Sequence, residues 1–271
     1  MKNFWLQYFN LKKNNLIFNM SFSAMMIALG VILSRFVSLN TTYFRIGFGS
    51  LPVALTSILL GPIWGGLVGA SYDLLASFIF PLGAYFPGYT IDAFLQGVIP
   101  SLVLLLVKGN KFKETIYFII FSFLICLYVT CFTSLFDTFK KIELPLYARI
   151  LIPFGFLLYF IAIYLVNYLL EKQNKIIKTY KKYEKGLSFF EIYLCSMTGL
   201  VLISMSLLPI WNLMVVKIPF LVTSFTQGII FLGSSIVRVT ILYILVNAAY
   251  KIVPQKVISY SLKNMDLNEN L

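Results

Sequence analysis

The sequence predicts an all-α polytopic membrane protein with about eight transmembrane helices, and three observations support this fold class. Hydrophobic residues make up 59% of the 271 residues and charged residues only 12%, about half the charged share of a typical globular domain. Lysines cluster in a few short stretches between apolar runs. Several apolar runs reach the roughly 20 residues that a helix needs to cross a bilayer; they lie at about 18–39, 116–135, 147–170, 187–210 and 222–249.

Three further apolar blocks between residues 51 and 107 bring the predicted number of spans to eight. The first of them, 51–61, is short and ends at "GPIWGG", where glycine and proline interrupt a helix. Of the 22 Lys and Arg residues, 15 precede the first span, follow the fourth, separate the sixth from the seventh or follow the eighth. Positive residues are enriched in cytoplasmic loops, so both termini are predicted to be cytoplasmic.

The same pattern divides the chain into five segments. Two helix pairs, joined at "FKKIELP" (139–145) and at "VKIP" (216–219), are candidates to complete the membrane domain, and the sequence leaves open which of them does. The stretch 171–186 is either a solvated linker or a basic segment facing lipid. The segments are a basic N-terminus (1–17), a membrane domain (18–170), a basic linker (171–186), an additional or completing helix pair (187–253) and a tail (254–271).

Several kinds of chemistry lack their usual residues. The chain has no histidine, and its cysteines (Cys126, Cys131 and Cys195) lie in apolar helices without a CxxC motif, so neither a metal nor another cofactor is expected. There is no Walker A pattern, so this chain is predicted not to hydrolyse ATP through a P-loop of its own. No constellation of residues indicates an enzyme, and the protein is predicted not to be one. An ion gradient or a separate ATPase would have to drive any uphill transport. Nucleic acid is not expected as a partner, because the lysines are divided among four loops.

The segment "FPLGAYFPGYTIDAF" (80–94) is too rich in proline and glycine to be helical throughout. Non-helical backbone at membrane depth is tolerated only when it is buried in protein or lines a cavity. Tyr85, Phe86 and Tyr89 offer flat faces that suit stacking on a planar aromatic ring. The alternative is that these aromatic residues form a belt at the outer membrane interface.

Two charged residues are predicted to lie within the membrane, where each costs at least about 2.5–3.5 kcal/mol on insertion scales. Arg35 lies near the outer end of the first helix, and Asp92 at the outer start of the fourth. They could pair with each other or flank one ligand. Asp92 shares a helix face with Gln96, and a carboxylate there can accept two hydrogen bonds from an aminopyrimidine edge. Asp73 ends a stripe of small residues that indicates close helix packing, so a buried polar contact is expected of it.

The first third of the chain resembles the folate-family substrate-binding (S) component of energy-coupling factor (ECF) vitamin transporters. The resemblance covers about residues 20–107, and "AMMIALGVILSRF" (24–36) is similar to that family's first helix. "LYARI" (146–150), with Arg149, resembles the start of the family's last helix, and "PIWNLMVVKIPF" (209–220), with Trp211, resembles the outer loop that precedes that helix. The other matching positions are Arg45, Leu51-Pro52, Gly61-Pro62, Gly65-Gly66, Asp73, Phe80-Pro81 and "FPGYT" (86–90).

The resemblance implies a multi-pass protein of the plasma membrane with a six-helix core, to which this chain adds an extra helix pair. Such a subunit captures folate, or a reduced folate, from outside, and a transmembrane T component and two cytoplasmic ATPases then drive uptake. Ala24 and Ala28 are the expected docking face for the T component, and Arg35 or Arg45 would meet the anionic tail of the vitamin. The expected binding residues are Arg35, Arg45, Tyr85, Phe86, Pro87, Gly88, Tyr89, Asp92, Gln96 and Trp211.

Two other functions remain open at this stage. An acid at position 92 departs from the family pattern, in which smaller residues predominate, so the ligand could be another heteroaromatic vitamin. The chain could also be a membrane assembly protein that transports nothing. The partners expected in either case include the lipid bilayer.

Overall fold

The computed structural model describes residues 16–40, 45–81, 85–107, 111–140, 153–169, 187, 189–218 and 220–252. The chain divides into two compact units, of which the first joins residues 1–109 to 186–271 and the second is 110–185. The predicted all-α class is confirmed, since the described residues are helical except for loops and two strands of two residues each. The predicted termini lie outside the described residues.

The first unit is built from two separate stretches of sequence. The elements of the first unit are α1 (Leu16–Arg35), β1 (Leu39–Asn40), β2 (Arg45–Ile46), α2 (Ser50–Leu60), α3 (Pro62–Ile79), α4 (Pro87–Val107), α7 (Phe189–Leu202), α8 (Leu208–Val215) and α9 (Phe220–Ile252). A turn of π-helix, Ile203–Leu207, joins α7 to α8, so that Phe189–Val215 is one continuous helical stretch of 27 residues. The second unit contains α5 (Lys111–Lys140) and α6 (Pro153–Leu169).

Three helical stretches in the described part of the chain are long and apolar enough to cross a membrane, namely Leu16–Arg35, Pro87–Val107 and Phe189–Val215. Shorter apolar stretches lie in α2, α5, α6 and α9. The exposed residues of α1 include Ile17, Met20 and Ile32, as expected where a helix faces lipid. The total of eight spans stays a prediction.

Two helix boundaries differ from those expected. The first helix was expected to continue to residue 39, but it ends at Arg35, because Leu39 and Asn40 pair antiparallel with Ile46 and Arg45. The segment 80–94 is helical from Pro87 onward. Proline is well tolerated at the first position of a helix, where its missing N–H group would have no intrahelical partner.

The expected interruption at "GPIWGG" is present between α2 and α3. Gly61 has φ 99° and donates its N–H to the Ser57 carbonyl, and Pro62 begins the next helix. Glycine adopts this positive φ without the steric cost that other residues pay. All residues of α2 from Leu51 to Leu60 are buried, so this short helix lies in the interior of the first unit.

Helices α3 and α4 approach each other closely along small residues. A Cβ atom at Gly65 would collide with the Gly97 carbonyl oxygen, and one at Gly69 would collide with the Ala93 carbonyl oxygen. Small residues let two helix backbones come this near, and such packing drives association in lipid. The small-residue stripe predicted from the sequence is therefore the contact between α3 and α4.

We predict that Gly97→Ala lowers the stability of the protein by about 1–3 kcal/mol, the usual cost of overpacking, because the added methyl group meets backbone atoms of Gly65 that cannot move away. Gly155→Ala in α6 is the matched control, since a Cβ there has no neighbour within 4 Å; helix propensity should make it neutral or stabilising by up to about 1 kcal/mol. Thermal unfolding in detergent measures both. Equal midpoints for the two variants would contradict the close packing.

Candidate ligand-binding site

The first unit encloses a cavity of about 640 Å³, a volume typical of small-molecule sites. Residues from α1, α3, α4 and the stretch Phe189–Val215 line it, together with residues of α9 and the glycine-containing loop before α2. Both polar and apolar side chains face the space. A cavity with a few polar groups in an apolar surround is the usual form of a site for a small organic molecule.

Asp92 is the acid placed most favourably for a ligand. Its side chain is 4% exposed, and its Oδ1 atom accepts a 3.0 Å hydrogen bond from Nε1 of Trp211. The other carboxylate oxygen, Oδ2, has no hydrogen-bond partner in the described part of the chain. A buried polar atom without a partner costs about 1–3 kcal/mol or more. A ligand N–H group that reached Oδ2 would remove this cost.

Aromatic residues surround Asp92 on one side. Phe86 lies against Trp211 with ring centroids 5.6 Å apart, and against Tyr89 at 5.8 Å. The Tyr89 hydroxyl donates a 2.8 Å hydrogen bond to Oδ1 of Asn212. A Cβ at Gly88 would run into the rings of Phe86 and Trp211. The start of α4 is thus fastened to α8 by a compact aromatic cluster.

The π-helical turn places Trp211 and Asn212 beside α4. In the turn the backbone carbonyl of Met205 accepts a 3.2 Å hydrogen bond from the Ser224 hydroxyl of α9. A single π turn adds one residue to a helix and rotates everything after it, and such turns are common at functional sites. Ile203 and Ser204 of this turn also line the cavity. No local sequence pattern predicts this π-helical turn.

A second polar group joins α3 to α4. Thr90 donates a 2.8 Å hydrogen bond to Oδ2 of Asp73, and its Oγ1 atom lies 3.0 Å from the Tyr85 hydroxyl. Because the threonine hydrogen is used on Asp73, Tyr85 donates to Thr90. Asp73 also interacts electrostatically with Arg35. The expectation that Asp73 makes a polar contact between helices agrees with this geometry.

The suggested pairing of Arg35 with Asp92 is wrong. Asp92 accepts its hydrogen bond from Trp211, whereas Arg35 interacts with Asp73 and Tyr72. Both Arg35 and Asp92 nevertheless line the same cavity, which was the alternative arrangement.

The structure brings most of the expected binding residues together. The cavity lining includes Arg35, Tyr85, Phe86, Tyr89, Asp92 and Gln96. Trp211 reaches this group through its bond to Asp92. Pro87 begins α4, and Arg45 lies in β2 with its side chain outside the described part of the structure.

The lining also contains residues that were not predicted from the sequence, among them Tyr72, Asn212 and Arg238. Arg238 carried a usable signal, because it is an isolated cation within a long apolar helix and has no acid one turn away in sequence. Tyr72 and Asn212 gave no such signal. Each is one polar residue among many, and only the tertiary structure turns it towards the cavity.

The comparisons with known proteins agree with this picture for the first half of the chain. Residues 14–145 match the model of a family described as ECF-type riboflavin transporter, S component. This segment is therefore similar to an ECF-type S component. The resemblance predicted from the motifs is therefore confirmed, and the protein is a multi-pass protein of the plasma membrane.

Two curated relatives of this chain are folate transporters named FolT. The one from Clostridium novyi (strain NT) is 47% identical over 89 residues, which are 33% of this chain and 50% of the relative. The one from Leuconostoc mesenteroides subsp. mesenteroides is 33% identical over 79 residues, 29% of this chain and 42% of the relative. The chain thus spans about half the length of the curated relatives that it matches.

A solved structure, the crystal structure of FolT bound with folic acid, is also similar to this chain. The match has a TM-score of 0.44 and 19% sequence identity, and it covers 83% of this chain and 90% of the other.

Proposed function

We propose that this chain is the vitamin-binding S component of an ECF-type importer, which captures folate or a reduced folate from outside the cell. Partner subunits, a transmembrane T component and two cytoplasmic ATPases, would then use ATP to drive uptake, and this chain would have no ATPase of its own. The observation that carries the proposal is the Oδ2 atom of Asp92, which is buried without a hydrogen-bond partner among the described residues, in a residue that lines a cavity together with aromatic rings.

The geometry suits a pterin. One edge of the pterin ring carries two N–H donors side by side, and a carboxylate accepts such a pair well. Trp211 fixes one oxygen of Asp92 and leaves the other available. Phe86 and Tyr89 supply flat surfaces against which a heteroaromatic ring can stack. The names of the two curated relatives support folate over other vitamins.

Riboflavin is the second candidate, because the matching family model is described as a riboflavin transporter component. Riboflavin also has a planar heteroaromatic head, and its uracil-like ring presents one N–H between two carbonyl groups. Asp92 would meet one donor there and two acceptors, which makes riboflavin the poorer partner for a carboxylate.

Purified protein in detergent tests the proposal directly. Folic acid should quench the tryptophan fluorescence at low concentration, and riboflavin should do so only weakly. Asp92→Asn should weaken folate binding at least tenfold, because hydrogen bonds to a charged group contribute about 1.5–3 kcal/mol. If only riboflavin quenches the fluorescence, riboflavin and not folate is the substrate. If neither vitamin quenches it, the proposed function is contradicted.

Asp73→Asn is the informative comparison for Asp92→Asn. Asp73 lines the same cavity, but its Oδ2 atom already accepts a hydrogen bond from Thr90. Its replacement should therefore lower the thermal midpoint of the ligand-free protein and change folate binding less than Asp92→Asn does. The opposite ranking would make Asp73 the main ligand acid and Asp92 a structural residue.

The final helix pair completes the six-helix core in our proposal, and residues 110–185 are the extra pair. Counting Phe189–Val215 as one helix, the described part of the first unit contains six helices. Every cavity residue comes from this unit. The core would then consist of the segment before residue 110 and the pair at 187–253.

The excision of residues 110–185 tests this division. Tyr89 contacts Asn212, Asp92 contacts Trp211, and Ile99 lies beside Gly199, so α4 and α7 run antiparallel. Continuing that register brings the end of α4 near the start of α7. A linker of about six Gly and Ser residues should therefore replace 110–185 and keep folate binding within a few-fold, as measured by titration. A folded, monodisperse variant that had lost binding would contradict the division.

Docking to the T component is proposed to use Ala24 and Ala28. Both residues are exposed on α1, one turn apart, on the side turned away from the buried Ser23, Met26 and Gly30. Small exposed residues let a partner helix approach closely in lipid. Their exposure also argues against the alternative, in which they pack against a neighbouring helix of this chain.

We predict that replacing Ala24 and Ala28 together by Trp abolishes co-purification with the T component and vitamin uptake, while folate binding to the isolated chain is kept. The same double replacement at Met25 and Leu29, which are exposed one turn apart on a neighbouring face of α1, is the control and should act less strongly. Normal uptake by the alanine variant would overturn the docking assignment. A loss of folate binding would mean that these residues hold the chain's own fold.

A further inference from the structure

Arg238 is a buried cation for which the described part of the chain provides no acid. It lies within α9 with 8% of its surface exposed, and its Nε atom has no hydrogen-bond partner among the described residues. Tyr72, which is not an acidic residue, is the neighbour that acts on it electrostatically. A lone arginine in a membrane helix is expensive and usually marks a substrate pathway or a partner charge.

The remaining acids of the cavity are engaged elsewhere. Asp73 interacts with Thr90 and Arg35, and Asp92 holds the indole N–H of Trp211. Among the described residues, the Arg238 guanidinium lies over the face of Phe48, with Cζ 5.8 Å from the ring centroid. A cation–π contact is weaker than the cost of burying an unpaired charge.

The position of Arg238 relates it to the ligand cavity. Arg238 lines the main cavity and also a small adjoining pocket of about 10 Å³, and Gln96 and Ser50 line both spaces. Gln96 lies one turn after Asp92 on α4, and Pro100 of the small pocket lies one turn further. Arg238 therefore faces a different part of the cavity from the free oxygen of Asp92.

We propose that Arg238 forms an anion subsite that binds a carboxylate of the ligand, and that the ligand therefore combines an N–H-donating heteroaromatic ring with an acidic tail. This inference rests on the proposed function and deepens it. The planar guanidinium presents parallel N–H donors that match the two oxygens of a carboxylate. The ring of Phe48 packs against the guanidinium, with Cζ 5.8 Å from its centroid. Arg35 lines the same cavity and its Nε atom also lacks a partner among the described residues, but an acid, Asp73, acts on the charge of Arg35. We therefore assign the tail-binding role, which was expected of Arg35 or Arg45, to Arg238.

The test compares two ligands that differ in the tail. Folic acid carries two carboxylates, whereas 6-hydroxymethylpterin keeps the ring and carries none. Arg238→Gln should weaken binding of folic acid at least about tenfold and leave binding of 6-hydroxymethylpterin within twofold, by fluorescence titration of the full chain in detergent. Equal losses for the two ligands would overturn the anion subsite.

Two further variants serve as controls. Lys217→Gln removes an exposed positive charge outside the cavity lining and should leave both affinities unchanged; an equal, folate-selective loss there would mean that only the overall charge matters and would overturn the proposal. Arg238→Lys keeps the charge but not the fork, so it should give a smaller loss that is again confined to folic acid. If Arg238→Gln does not fold, Arg238→Lys decides the question by the same ligand comparison.

Thermal unfolding without ligand separates a binding role from a structural one. If the charge serves the ligand, Arg238→Gln should leave the unfolding midpoint of the ligand-free protein unchanged or raise it, and it should reduce the upward shift that folic acid produces. A midpoint lowered by more than a few degrees, with an unaltered shift, would make Arg238 structural and overturn the proposal.

Failure of the proposed function gives a different result. In that case wild-type protein binds neither folic acid nor 6-hydroxymethylpterin. The fragment 4-aminobenzoyl-glutamate, which is the tail without the pterin, then tests Arg238 by itself. Binding of the fragment that Arg238→Gln removes would support the anion subsite without folate, whereas no binding of the fragment would overturn both proposals.

Discussion

The close contact between α3 and α4 is the constraint on which the rest of the binding site depends. Gly65 and Gly97 bring the two backbones together, and the same crossing places Ala93 against Gly69. One turn further along, Thr90 of α4 then reaches Asp73 of α3. Asp92 follows on the next face of α4 and points into the cavity. Any larger residue at the crossing would move the acid away from its partners.

A second consequence of this arrangement is electrostatic. In a bilayer each buried ionised group must find a partner, since there is no water to solvate it. Thr90 gives Asp73 a hydrogen bond, and Asp73 acts electrostatically on Arg35. Arg35, Asp92 and Arg238 each keep one side-chain atom that has no hydrogen-bond partner among the described residues. All three residues line one cavity, so a ligand that donates to the acid and accepts from an arginine stabilises the folded protein as well as occupying the site.

Much of this organisation could be predicted from the sequence, for reasons that particular residues make clear. Charges are rare in apolar helices, so the sequence predicts a functional or structural partner for Arg35 and Asp92. The glycines spaced by four residues predict a contact between helices. The pairing of Arg35 with Asp92 failed because sequence distance along two helices gives their heights in the membrane but not their facing directions. Trp211 and Asn212 depend on the π-helical turn, which local propensity does not reveal. The hairpin at 39–46 depends on pairing between strands too short to show a pattern.

Two parts of the chain determine which ligand binds: the segment that matches the S-component family model, and the later segment, which that model does not cover. The match to the S-component family ends at residue 145, so it covers Asp92, Phe86 and Tyr89 but not Trp211 or Arg238. The match to the family model therefore bears on the acid that would receive the heterocycle. The residues that orient this acid and the cation that would receive a tail come from the later segment. A chain could keep the first part and change its vitamin by altering the second. Ligand comparisons that separate ring from tail are for this reason more informative than the affinity for folate alone.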